Sequence, residues 1–388
     1  MASVQEVVVT HAFAIGFVVV FLMVPVPVMA RQTPADSGDT ASGAQTPPPA
    51  PPSSFFRSIT VSGLGDVYLV GNTNRPPEGD NLLRNFDTRS GELRLNYVEM
   101  AIERKATPEQ LAGFRVDLGA GPTARLVGAP EPGPEPLRYV QQAFVSVRAP
   151  VGTGLTIDVG KFVTPAGAEV IETQDNWNYS RSILFAWAIP YYHAGVRASY
   201  AITDKVSAAG FVLNGWNNVK DNNSSKTFAA QVAVAATPRI SIAGAWIGGA
   251  EHSEVAGWRN LFDAVVNVAL TERLKLQLNA DFARDAALGP GVGWHGVSAA
   301  MRVEVTPSWS VAPRVEWFSD PQGASTGVAQ DVTEATMTVQ RAIAGGLAAR
   351  AEYRVDHSTT PFFSAKGGGT TPWQHTVGVG LYYGWASK

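Results

Sequence analysis

Cysteine is absent from the 388-residue chain, which removes disulfide frameworks, thiolate zinc sites and thiol nucleophiles together. Charge is scarce as well. Asp, Glu, Lys and Arg make up 16 % of the residues, against roughly 25 % in ordinary soluble domains. The net charge of −3 offers no basic field to a nucleic-acid partner. From residue 56 onward no run is apolar enough to cross a bilayer as a helix, which takes about 20 residues. His193, His252, His295, His357 and His375 share no motif, and the chain has no nucleophile elbow, zinc-binding His pair or phosphate-cradling loop. Gly367-Gly368-Gly369 reads as slack in a loop tip. No cofactor, no metal and no catalytic centre is expected.

What the chain has is glycine (38), tryptophan (10) and tyrosine (10), set into short segments of alternating polarity. In residues 274–284, Leu274, Leu276, Leu278, Ala280 and Phe282 share one face, and Lys275, Gln277, Asn279 and Asp281 the other. In 309–317 the apolar face begins and ends on Trp309 and Trp317, while Arg314 and Glu316 face away; Pro313 interrupts it and suggests a bulge. Aromatics at both ends of one greasy face suit the two interfaces of a bilayer. Four turns repeat one form, an apolar residue, Thr, a turn-former and a return to strand, at Thr203, Thr237, Thr271 and Thr306. Between them lie longer polar stretches.

The strands read as 57–71, 91–104, 111–120, 138–149, 154–163, 190–202, 205–217, 226–236, 239–248, 257–270, 273–285, 293–305, 308–320, 330–341, 345–356 and 373–386. Alternation is poor over 205–213 and 138–145. Short turns on one side and long loops on the other describe an all-β transmembrane antiparallel β-barrel of about 16 strands. A soluble sandwich is the alternative, but its inner face has no room for Arg94, Arg115, Arg197, Arg302, Arg350, Arg354, Asp117, Asp263, Asp281, Glu304 and Glu352 without partners. A hydrated lumen accommodates them.

Residues 1–30 read as a signal peptide cut after Ala30; no Lys or Arg precedes its apolar run, which leaves a start codon set in the wrong place or an uncleaved anchor as alternatives. Residues 31–55, rich in Pro, Ala and Ser, read as a disordered periplasmic segment, and 56–388 as the barrel. The expected location is the bacterial outer membrane.

The third outward loop departs from the repeat. It is long, mixes charges with large apolar groups and begins on a Pro-Ala-Gly turn, with Ala166 to Thr173 suited to a short helix. Such a loop packs against something, either the inner wall of the barrel or its neighbours above the rim. Asp158-Val159-Gly160-Lys161-Phe162, then Thr164, Pro165, Ala166, Gly167, Ala168 and Glu169, then Asn178, Tyr179, Ser180 and Arg181, with Pro190, His193-Ala194-Gly195 and Asn214-Gly215-Trp216, resemble the β-barrel porin-2 (OmpL-like) family. That resemblance implies an outer-membrane porin and leaves the solute open.

If the loop folds inward, Glu169, Glu172 and Asp175 face the wall arginines Arg302, Arg314, Arg350 and Arg354. The pore constriction then has a transverse field that favours small hydrophilic solutes. The alternative is that these charges pair along the wall, Arg302 with Glu304 and Arg350 with Glu352. Trp177, Tyr179, Phe185, Trp187, Tyr191 and Tyr192 suggest a second reading, a channel selective for oligosaccharides or peptides; a non-conducting structural or adhesive barrel is a third. Outer-membrane lipid and small solutes are the expected partners. The Ala- and Gly-rich run from Ala229 to Ala245 suggests a homotrimer face.

Overall fold

The computed structural model describes residues 58–131 and 135–387; the expected leader and tether lie outside them. The chain forms β1 (Thr60–Asn72), β2 (Leu93–Arg104), β3 (Ala112–Ala120), helix α1 (Pro122–Val127), β4 (Val140–Ala149), β5 (Leu155–Val163), β6 (Tyr192–Ala201), β7 (Val206–Leu213) and β8 (Thr227–Thr237). It continues through β9 (Ile240–Gly249), β10 (Arg259–Ala269), β11 (Leu274–Asp285), β12 (Gly293–Thr306), β13 (Trp309–Asp320), β14 (Gln330–Ala344) and β15 (Leu347–Ser358). A two-residue hairpin, β16 (Phe363–Ser364) and β17 (Thr370–Thr371), precedes β18 (Trp373–Ala386). All except that hairpin close into one antiparallel cylinder, each strand beside its chain neighbour and β18 beside β1. Sixteen strands form the wall, as the alternation predicts.

Period-two patterning decides which way each side chain points. Leu95, Val145, Val159, Val315 and Val377 are all more than half exposed, whereas Asp117, Asp158, Arg314, Glu316 and Thr376 are buried. A soluble sheet packs the reverse way. The greasy face is the outside of the cylinder, and Trp317 and Trp309 mark its two edges on β13.

The four threonine turns have one cause. Thr203, Thr271 and Thr306 each accept, through Oγ1, the backbone N–H groups two and three residues further on, and Thr237 accepts that of Arg239. The side chain stands in for a backbone acceptor and closes the turn tightly.

Pro313 behaves differently from expectation. Ala300 opposes Arg314 and Val303 opposes Val311, so the register runs unbroken past the proline, which omits hydrogen bonds without inserting a residue. The irregularity lies at Glu304–Thr306, beside the turn. In the weakly alternating stretches, β4 begins only at Val140, with a shift opposite Asp117 and Leu118. β7 ends at Leu213, where Phe211 and Leu213 turn apolar groups inward.

Candidate functional site: a lumen narrowed by the third loop

The third loop, residues 164–191, crosses the inside of the barrel. Its neck is closed by Thr164 N donating to Tyr191 O at 3.0 Å. Gly167 follows Pro165 and Ala166 with φ +94°, and a Cβ there would sit 2.4 Å from Ile189 Cδ1. The turn therefore requires glycine on both counts. No helix forms over 166–173. Instead Asn176 uses its amide like a strand partner, donating to Val170 O and Glu172 O and accepting from Val170 N. Arg181 donates to the carbonyls of Val170 and Ile171 at 2.8 and 2.7 Å. These side-chain bonds hold the segment extended, leaving one 3₁₀ turn at Thr173–Asp175 and one π turn at Leu184–Ala188.

The wall grips this loop by its backbone. Arg350 donates to the carbonyls of Thr173 and Asn178, both at 2.8 Å, and Arg354 to that of Arg181 at 2.6 Å. Arg314 donates to Ser180 O at 2.9 Å. The intervening acids take the amides: Glu352 accepts from Tyr179 N and Ser180 N, and Glu316 from Ile183 N and Leu184 N. Alternating cations and anions on β13 and β15 thus read alternating carbonyls and amides of 178–184. Further along, Gln231 reaches Pro165 O, Gln277 reaches Ala168 O, and Asp66 accepts from Tyr179 Oη and Thr173 Oγ1. Above this polar clamp, Ile183, Leu184, Phe185 and Ile189 pack with Phe318, Trp294, Leu261 and Phe211 of the wall.

The seven charges expected at a constriction therefore separate. Glu169 meets Arg314 at 2.7 Å. Among the described residues this is the one ion pair between the three loop acids and the four wall arginines. Arg314, Arg350 and Arg354 are buried clamps with 1–2 % exposure. Arg302 pairs along its own strand with Glu304 at 2.7 Å, and Glu352 binds the loop rather than Arg350. Asp175 is exposed and Glu172 half-buried. Burial pushes the Glu172 carboxyl above its ordinary range, Asp175 and Asp117 add to the rise, and Arg115 opposes it.

Thr164 and His193 form the neck, Oγ1 to Nε2 at 3.3 Å, with His193 Nδ1 on Gly215 O at 2.9 Å. Asn178 donates to Thr338 and to Ala312 O.

Water-exposed charges on the inner wall also occur on β3 and β6. Arg115 pairs with Asp117 at 2.9 Å and Arg197 with Asp158 at 2.8 Å, and these arginine side chains keep 30 % and 24 % exposure. Both arginines counted as lumen charges in the sequence; nothing in it told which part of the wall the loop would cover. The first loop, which nothing in the sequence marks, also enters the barrel. Leu83 and Phe86 are buried inside the barrel, and Arg84 bridges Asp87 and Asp356.

Within the aromatic set, Tyr179 packs on Tyr68, and Phe185, Tyr191 and Tyr192 are engaged as well. Phe86, Phe185 and Tyr191 form one cluster with centroids 5.5–6.2 Å apart, and Tyr192 lies under Lys161 Nζ at 3.9 Å. In the run proposed for trimer contact, Ala229 and Ala245 share the inward face with Gln231 and are buried, so they cannot meet a neighbouring barrel.

A closed sixteen-stranded cylinder, apolar outside and charged within, with an infolded third loop, defines an outer-membrane barrel of the porin type. The chain belongs to the family described as putative beta-barrel porin-2, OmpL-like, whose model matches residues 58–383. Its fold is similar to that of OmpT of Vibrio cholerae (TM-score 0.55, 12 % identity, 84 % of this chain and 98 % of that one). It is also similar to an anion-selective porin from Comamonas acidovorans (0.56, 11 %, 84 % and 99 %) and to the outer membrane channel DcaP of Acinetobacter baumannii (0.54, 11 %, 84 % and 96 %). At these identities the likeness concerns the fold. Comparison with curated proteins finds no match.

Proposed function

We propose that this barrel is a passive pore for small hydrophilic solutes, narrowed between the third loop and the wall of β2 to β6. The observation that carries this reading is the partial exposure of Arg115 and Arg197 on that wall, with Asp175 exposed on the loop. Charges left in contact with water inside a cylinder line a path rather than a core. Asp175 and, once ionised, Glu172 on the loop side face the ion pairs Arg115–Asp117 and Arg197–Asp158 on the far side, a charged lining that favours polar solutes over apolar ones. The acids of this constriction are Glu172 and Asp175; Glu169 anchors the loop through Arg314. Purified protein in a planar bilayer is expected to give discrete conductance steps, and liposomes containing it to swell with small sugars and amino acids. A silent bilayer would show the loops to plug the barrel and end the proposal.

A further inference from the structure

The outer surface of β10 to β13 carries a hollow with no counterpart in the transport reading. Cross-strand pairing lays its residues in rows. Phe262, Phe282 and His295 stand side by side in one row, with Trp246 beyond Phe262. In the next row toward the short-turn side, Gly244, Ala264 and Ala280 stand together, bounded by Val297 and Trp317. Small side chains beneath large ones leave a depression of about 340 Å³ on the lipid-facing wall, at the lower end of the ~300–1,000 Å³ that ligand pockets span. Phe262 and Phe282 remain 53 % and 42 % exposed beside it.

The row on the loop side of the aromatics is polar. Arg284 lies opposite Gly293 and Asn260, directly past Phe282 along β11. Its guanidinium sits 5.0 Å from the Phe282 ring centroid, and it donates to Gly291 O. Among the described residues no carboxylate lies within 4 Å of it. His295, diagonal to Arg284, packs edge-on against Trp317 at 5.2 Å. The acids nearest in sequence turn away from this face: Asp285 is buried against Arg259 and His252, and Asp263 and Asp281 are buried on the inner side; Asp331 lies across Ser319, two strands from His295. From the long-loop edge inward, the surface thus runs from a cation without a carboxylate partner through an aromatic row to an apolar hollow.

We infer that this is a binding site for one anionic, acylated lipid of the outer leaflet, an acyl chain filling the hollow over Ala264 and Ala280 and a headgroup phosphate meeting Arg284. The occupant follows from the surroundings. The face is covered by bilayer, so the hollow fills with hydrocarbon, and a guanidinium without a carboxylate partner at the interface selects phosphate over a neutral headgroup. His295, whose ring lies between Arg284 and Trp317, is placed to contact the same headgroup.

The test uses the full-length protein refolded into phosphatidylcholine vesicles containing bis-phosphorylated lipid A and extracted into mild detergent. Native mass spectrometry then counts the lipid retained per barrel. One copy is expected on the unmodified protein, with retention about tenfold lower when both phosphates are removed from the probe. Arg284→Gln should lower retention of the phosphorylated probe to that of the dephosphorylated one. Ala280→Phe should lose both, while heat-modifiable gel mobility reports a closed barrel; if that variant fails to close, Ala264→Leu and the comparison of the two probes on the unmodified protein decide. Equal retention of both probes, or undiminished retention in both variants, would overturn the assignment. So would a barrel that retains no lipid and instead falls from oligomer to monomer with Ala280→Phe, since a second copy would then be the occupant.

Discussion

At the level of single residues, four arginines that look alike in the sequence do different work. Arg314 is buried among Glu169, Glu316 and Glu334 at 2.7, 2.9 and 3.2 Å. Arg314→Met leaves those carboxylates in a dry site with too little countercharge, and breaking a buried pair in this way costs about 3–5 kcal/mol. Glu169→Gln keeps a hydrogen-bonding group in place and should cost about 1 kcal/mol. Arg302→Met removes a half-exposed pair with Glu304 and should fall below ~1 kcal/mol. Urea unfolding in vesicles ranks the three, and equal losses would contradict the burial argument. Glu172 adds a pH dependence. Its carboxyl is held above the ordinary range, so the folded barrel keeps this proton to higher pH than the unfolded chain does. The associated stability is present below the unfolded pKa and is lost as pH rises through the folded one. The same ionisation places a negative charge in the pore, so the cation-to-anion permeability ratio should climb as pH rises beyond the usual carboxylate range. Glu172→Gln should flatten that climb; an unchanged profile would remove Glu172 from the conduction path.

At the level of elements, the third loop is fixed by two kinds of contact with different consequences. The charged clamp around 178–184 sets its register, and the apolar group Ile183, Leu184, Phe185 and Ile189 presses it onto the wall. Phe185 is 4 % exposed, and Phe185→Ala should cost about 3–5 kcal/mol through lost burial and the cavity left behind. That loss falls on the loop rather than on the strands. Conductance is therefore expected to rise and flicker while far-ultraviolet circular dichroism stays that of the closed barrel; a variant with steady, unaltered conductance would show the polar clamp to be sufficient. The strands were legible because lipid and lumen impose opposite demands on alternate residues, as Leu274 to Asp285 displays. Alternation fades at Phe211, Leu213 and Leu261 because the loop's own apolar groups cover the wall there, making both faces greasy. The inward course of the loop was readable from its large apolar residues, but the clamp was not. Arg350 and Arg354 meet backbone carbonyls, which every sequence has, so their partners carry no signature. The helix expected over Ala166 to Thr173 fails for the same reason: Asn176 and Arg181, from beyond that window, take the carbonyls that a helix would use.

At the level of the whole molecule, the barrel closes where the two ends of the described chain meet, β1 against β18 from Ser62↔Ala386 to Asn72↔Thr376. This seam joins residues over 300 positions apart, so closure waits on the entire chain. The loops brace it from inside. Tyr179 donates to Asp66 of β1 at 2.8 Å, and Gln374 of β18 accepts from Leu82 N and donates to Leu82 O of the first loop. Two glycines in the seam separate bracing from pairing. Gly380 of β18 faces inward, and a Cβ there would lie 2.3 Å from the Tyr179 ring. Gly65 of β1 faces lipid, with nothing within 4 Å of its Cβ position. Gly380→Val must therefore push Tyr179 and the loop off the wall, at the ~1–3 kcal/mol that overpacking costs. Gly65→Val adds apolar surface to a face already in lipid and leaves the brace intact. Gly380→Val is expected to lower the temperature at which the barrel opens in dodecyl sulfate and to raise conductance together, whereas Gly65→Val changes neither. Should both variants open at the parent's temperature, strand pairing alone would hold the seam, and the infolded loops would narrow the lumen without stiffening the wall around it.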